Sequence, residues 1–215
     1  MWISGRNRKM GIDTLVKRHP ERGRYDSDTV HSILDDSAIC HVAFSIGNFL
    51  YNMPMIPVRL DSELFLHTSI KGRFYSILSS GIDCCVTVTI IDGLVLAKSA
   101  YNSSMNYRSA LFFGKLSPVT DVQEKLMVLE RLTEKMAKGR WEDCRHPSEA
   151  ELKATGILKL PISKYSAKIR SGPPTDNPED LSLPFWSGVV PITSIRGKPE
   201  TNPLDLGKID VPDYL

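Results

Sequence analysis

Residues 84–100 read CCVTVTIIDGLVLAKSA, and no other stretch narrows the fold so far. Two runs rich in β-branched side chains flank Asp92-Gly93, the pair favoured by a two-residue type I′ turn because both central positions need positive φ. The spacing predicts an antiparallel hairpin turning at Asp92-Gly93 and a fold built on β-structure. Cys84 and Cys85, adjacent in that strand, point to opposite faces and read as small apolar fillers.

The neighbouring segments extend the pattern. AICHVAFSI alternates, with Cys40, Val42 and Phe44 on one face, and GN after it reads as a turn. MPMIPVRL and ELFLHTS form two short strands around Asp61-Ser62, with Pro54 and Pro57 confining the first to an edge. SALFFGKLSPV, GILKLPIS and YSAKIR supply further strands. Helices are fewer. SDTVHSILDD, capped by Ser27 or Asp28, places Val30, Ile33 and Leu34 on one face. The strongest, TDVQEKLMVLERLTEKMAKGR, has Thr120 and Gln123 as a capping box, an apolar stripe of Val122, Leu126, Leu129, Leu132 and Met136, and an end at Gly139. GRFYSILSSG and SEAEL read as shorter helices, and the Pro- and Gly-rich chain from Ser171 onward reads as loop. Strands that do not alternate regularly with helices, together with the lack of G-x-G-x-x-G or a P-loop, disfavour nucleotide-binding α/β folds. The expected fold is an antiparallel split β-barrel, β plus α, with a few flanking helices.

With 215 residues, 41% of them hydrophobic and 24% charged, the chain can bury a substantial core. The net charge of +2 gives no strong pull toward nucleic acid or membrane, although residues 6–24 hold seven Lys or Arg against two acids. Four scattered cysteines, no C-x-x-C and no apolar segment of about 20 residues fit a reduced, cytoplasmic protein without a membrane span. Asn102 in NSS matches a glycosylation pattern by chance.

Two segments carry chemistry. In LFLHTSIKGR a strand ends on Ser69, Lys71, Gly72 and Arg73 at a helix start, where a hydroxyl, two cations and free amides can converge on one phosphate. In AYNSSMNYRSALFFG, Ser103, Ser104, Asn106, Tyr107, Arg108 and Ser109 crowd together before an apolar strand, supplying phosphate donors and an amphipathic ring. His41 and His67 alternate with apolar neighbours and read as core histidines.

The order PERGRYD, a short helix, CHVAF, MIPV, LHTSIKGR, VTVTIIDGLVLAKSAYNSSMNYRSALFFG and PFWSGVVP resembles the flavin-binding split-barrel proteins related to pyridoxamine 5′-phosphate oxidase, over about residues 18–192. The resemblance implies FMN at the interface of a homodimer. By that resemblance Ser69, Lys71 and Arg73, with Gly72, take the phosphate; Ser104, Asn106, Tyr107, Arg108 and Ser109 line the same site; Pro57 and Val58 run along the flavin ring; and Trp186 comes from the other subunit. Residues 1–17 then form an N-terminal arm and 193–215 a tail. The implied activity is flavin-dependent oxidoreduction of an unidentified substrate. The alternatives are a non-catalytic flavin or pyridoxal phosphate binder, and an interaction module with a vacant pocket. True oxidases of this family carry an Arg-x-His element near the C-terminus. Here no histidine follows His146, and only IRGKPE around Arg196 stands in its place, so pyridoxamine phosphate is not the expected substrate.

Overall fold

The computed structural model describes residues 13–205, 207 and 209–215; most of the predicted N-terminal arm lies outside them. In chain order the elements are β1 (Gly23–Arg24), α1 (Ser27–Asp36), β2 (Cys40–Ile46), β3 (Phe49–Met55), β4 (Pro57–Leu60), β5 (Glu63–Ser69), α2 (Arg73–Leu78), β6 (Asp83–Leu96) and β7 (Ser104–Lys115). There follow β8 (Ser117–Pro118), α3 (Val122–Met136), α4 (Glu149–Ala154), β9 (Thr155–Pro161), β10 (Tyr165–Arg170) and β11 (Gly188–Pro191). All pairings are antiparallel. One sheet runs β1-β10-β7-β6-β2-β3 with β11 also on β6, and the other runs β4-β5-β9-β8. This is the expected split barrel with flanking helices.

Strand periodicity explains how the sheets pack. Leu64 and Leu66 of β5, with Leu158 and Leu160 of β9, enter the main core beside Val42, Val86 and Phe112. Phe65 and Ile157 point the other way into a second cluster with Val58, Val128 and Leu132 under α3. β5 and β9 are therefore covered on both faces, which accounts for their unbroken apolar runs. The α3 stripe differs from the expected one. Val128 and Leu132 are buried, whereas Val122 and Met136 at the two ends are 52% and 51% exposed, because only the middle of the helix covers the small second cluster. Its N-cap is Asp121, accepting from Glu124 N, and that of α1 is Asp26, accepting from Thr29 N. MPMIPVRL is not the single strand expected: it breaks at Ile56, with Pro54 in β3 and Pro57 opening β4, each an edge strand but of different sheets.

The hairpin expectation at Asp92-Gly93 is corrected. β6 runs straight through that pair, and the register against β7 steps from Ile91↔Tyr107 to Gly93↔Asn106, leaving Asp92 as the extra residue of a β-bulge. The connection to β7 lies at residues 97–103 instead. Continuous pairing with β7 on one edge, and with β2 and then β11 on the other, outweighs the local turn preference. Glycine is required here for close approach: a Cβ on Gly93 would lie 3.0 Å from the Val190 carbonyl oxygen of β11. That β11 exists is itself a correction to the reading of the tail as loop. The true two-residue turns are Gly47-Asn48, with Ile46 opposite Phe49, and Asp61-Ser62, with Leu60 opposite Glu63.

Candidate cofactor site

β5 ends at Ser69, and the chain turns sharply into α2. The turn is held by Gly72 N donating to the Ser69 carbonyl at 2.9 Å and Lys71 N donating to Ser69 Oγ at 3.3 Å. The following helix is seated by a glycine in the neighbouring strand. The Tyr75 ring lies so close over Gly156 that an added Cβ there would come within 2.6 Å of Cε2. This contact fixes the position of α2 and hence of Arg73.

Arg73 has an uncommon environment for an arginine. Its guanidinium lies 4.9 Å from the Tyr51 ring centroid and 5.7 Å from that of Phe74, and among the described residues no carboxylate pairs with it. Cation–π stacking fixes the plane of the group while leaving its in-plane N–H donors free. Lys71 is likewise outside any ion pair among the described residues, and Ser69, Lys71 and Arg73 are all exposed. Beside them opens a cavity of about 370 Å³ walled by Met53, Met55, Ile56, Phe74 and Leu78, with His67 and Thr68 as its polar members. His67 was expected in the core. It is exposed instead, as is His41, and the protein surrounding it still pushes its pKa below the ordinary value. Alternation gave no sign of this, since the cavity is formed by β3, β5 and α2 together.

The second segment sits elsewhere. Tyr51 faces Phe44, Phe44 faces Cys84, and Cys84 faces Gly114. From Gly114 back to Arg108 is six steps of β7, about 20 Å. A single chain therefore does not bring Arg73 and Arg108 to one point. Arg108 also has its own partners: Asp92 accepts from Nε at 3.1 Å and Nη2 at 3.0 Å, and Asp36 accepts from Nη1 at 2.5 Å. Those carboxylates hold its pKa above the usual arginine value.

Asn106 is buried, accepting from Arg170 and donating to the Gly172 carbonyl at 3.1 Å. Ser109 Oγ donates to the Val88 carbonyl at 3.1 Å, while Tyr107 is half-buried and Ser104 exposed. Pro57 and Val58 are buried, Val58 within the second core cluster, so their backbone is what can border a ring. Trp186 is 65% exposed, its ring lying over Gly188.

Two antiparallel sheets packed in this way, with a few flanking helices, define a split barrel, here with an apolar cavity next to an unpaired arginine. Residues 26–169 match the family model described as pyridoxamine 5′-phosphate oxidase, and the chain belongs to that family. It is similar to the solved structure of a flavocytochrome from Azotobacter vinelandii, with 35% identity over 93% of this chain and 92% of that one and a TM-score of 0.86. It is also similar to an FAD- and haem-binding protein from Mycobacterium smegmatis, with 31% identity over 90% of this chain and 95% of that one and a TM-score of 0.85. No curated protein matches the chain. Among the described residues no helix is long and apolar enough to cross a membrane, and no group of His, Cys, Asp and Glu could hold a metal ion.

Proposed function

We propose that the protein is a flavin-dependent redox protein whose flavin phosphate is held by Ser69, Lys71 and Arg73. The observation that carries this reading is the free guanidinium of Arg73, stacked on Tyr51 and on Phe74, the latter a wall of an apolar cavity of ordinary small-molecule size. A planar cation with unspent donors is suited to a phosphate. Thr68 and Ile56 border the cavity, and the backbone at Pro57, next to Ile56, is the part of that strand we assign to the flavin ring. The expected form was FMN; the relative from Mycobacterium smegmatis, which binds FAD and haem, favours FAD, and the flavocytochrome favours a flavin of either form. Both forms share the phosphate that these residues would take.

The site is read as completed by a second copy of the chain. About 20 Å of β7 separates Arg108 from Gly114, the position level with Tyr51 across the sheet, and this supports a ligand that takes the two segments from different subunits. Phe49 and Leu50, 72% and 88% exposed near Tyr51, and Trp186 offer the apolar surface such an interface needs.

Haem is the second cofactor in this reading, favoured by the FAD- and haem-binding relative and by the flavocytochrome. Its candidate iron ligand is His67, an imidazole whose pKa the surrounding protein pushes below the ordinary value and which stands at the cavity lined by Met53, Met55 and Phe74. When bound, the two groups supply hydride and one-electron chemistry, while the chain supplies position, charge and exclusion of water.

The test is the visible spectrum of the purified protein with mass analysis of the released ligand. Flavin bands with FMN or FAD in the extract support the reading, and a colourless protein that takes up no flavin on titration sinks it. A Soret band lost in His67→Ala while the flavin stays would assign the iron ligand. A stable monomer that still binds flavin in sedimentation at low concentration would contradict the interface site.

A further inference from the structure

Arg131 and Lys135 stand four residues apart on α3, which sets them on one face of the helix, and Lys138 follows just past the helix end at Met136 and lines the same hollow. That face borders two adjoining hollows of about 370 and 490 Å³, which share Asp35 and Lys135. Arg59 lies on the far wall of the first. The second reaches Ile56, which also lines the cofactor cavity.

The acids around this cleft are already engaged. Asp35 accepts from Arg59 Nε at 3.0 Å and from Nη2 at 2.5 Å. Asp36 accepts from Arg108 Nη1 at 2.5 Å. Glu134 accepts from the backbone N–H groups of Gly139 and Trp141 at 2.8 and 2.9 Å. Arg131, Lys135 and Lys138 are left without an ion pair among the described residues. Lys135 is half-buried, and among the described residues its ammonium has one hydrogen-bond partner, the Leu34 carbonyl at 3.2 Å. Burial without a counter-ion holds its pKa below the ordinary lysine value, and Arg131 pushes in the same direction against the opposing pull of Asp35 and Asp36. Taking a charge out of water without pairing it is costly, and like charges four residues apart on a helix repel. An anion in the cleft would relieve both.

We infer that this cleft binds a multiply charged anion, a phosphate ester or a polycarboxylate, seated on Lys135 between Arg131 and Lys138. The flavin's own phosphate is not the occupant. Arg59 faces Leu64 in the β4–β5 ladder, and from Leu64 to Ser69 is five residues, about 17 Å along the strand. With the flavin phosphate at Ser69–Arg73, as proposed above, the ligand is a separate molecule; the anion site itself rests on the cleft alone.

Titration calorimetry of the protein as purified, with pyrophosphate and with citrate at matched ionic strength, tests this and separates the two sources. Saturable binding of either anion is expected. Lys135→Met should weaken it about tenfold or more, and Lys138→Gln about threefold. Lys135→Arg should keep it, and the flavin absorbance should be the same in all three variants. Without an anion, Lys135→Met should melt no lower than wild type, because it removes an unpaired charge while keeping the stem. No saturable binding to wild type, equal affinity in Lys135→Met, or a clear loss of melting temperature in that variant without anion would each overturn the assignment.

Discussion

Arg73 and Arg108 look alike in the sequence, each in a polar cluster beside a strand, yet they have opposite environments. Arg73 lies on Tyr51 and Phe74 with no carboxylate partner among the described residues, whereas Arg108 is gripped by Asp36 and Asp92. The difference separates an arginine available to a ligand from one that ties parts of the chain together. Arg108 joins the end of α1 to the bulge in β6. Its donors are largely spent within the chain, so its first contribution is to stability.

The sharpest way to break this comparison is to remove each arginine in turn. Arg73→Ala should lose a charge-assisted phosphate contact of about 1.5–3 kcal/mol, tenfold or more in flavin affinity, with little change in melting temperature. Lys71→Ala should cost less, because a flexible ammonium is the weaker fork for phosphate. Titration with flavin that shows unchanged affinity in both variants would move the site away from this turn. A comparable effect is expected one layer behind Arg73. Gly156→Ala would drive Tyr75 and α2 outward at about 1–3 kcal/mol, lowering both the unfolding midpoint in urea and the flavin affinity. A variant as stable and as tight-binding as wild type would show that Tyr75 does not seat the turn.

Arg108→Ala should give the reverse pattern, a stability loss of about 1 kcal/mol once the exposure of the three partners is discounted. Flavin affinity per folded molecule should change less than in Arg73→Ala. If affinity collapses while the denaturation curve stays put, Arg108 belongs to the ligand after all.

The smallest effect concerns pH. The protein packed around the exposed His67 desolvates it in part and lowers its pKa from 6.5, so the unfolded chain takes up a proton more readily than the folded one. The stability this gives is complete above pH 6.5, falls as the pH drops through that value, and levels off below the folded pKa. Thermal melts at pH 7.5 and 5 should therefore fall slightly more in wild type than in His67→Gln, and equal slopes would remove the burial argument.

Much of this was legible in the residues. The amphipathic α1, the alternating β2, the Asp61-Ser62 turn and the polar close of β5 are set by local periodicity and turn chemistry, and they stand where expected. Local patterns also misled at Asp92-Gly93, where the favoured turn pair became a bulge because pairing on both edges of β6 rewarded an extended strand more than a turn did. His67 was misplaced for a related reason, since alternation records which side of a strand a residue takes and not whether a neighbouring helix covers that side. The sequence by itself determined the antiparallel β framework and the Ser69–Arg73 cluster, because period-two alternation and turn residues act within a few positions of one another. Only the tertiary structure decided which cations are paired, that Arg73 lies open beside an apolar cavity while Arg108 holds two acids, and that Lys135 stands unpaired in a cleft. Ion pairing and burial depend on side chains tens of residues apart, as Asp36 and Arg108 are, and nothing local in the chain records that they meet.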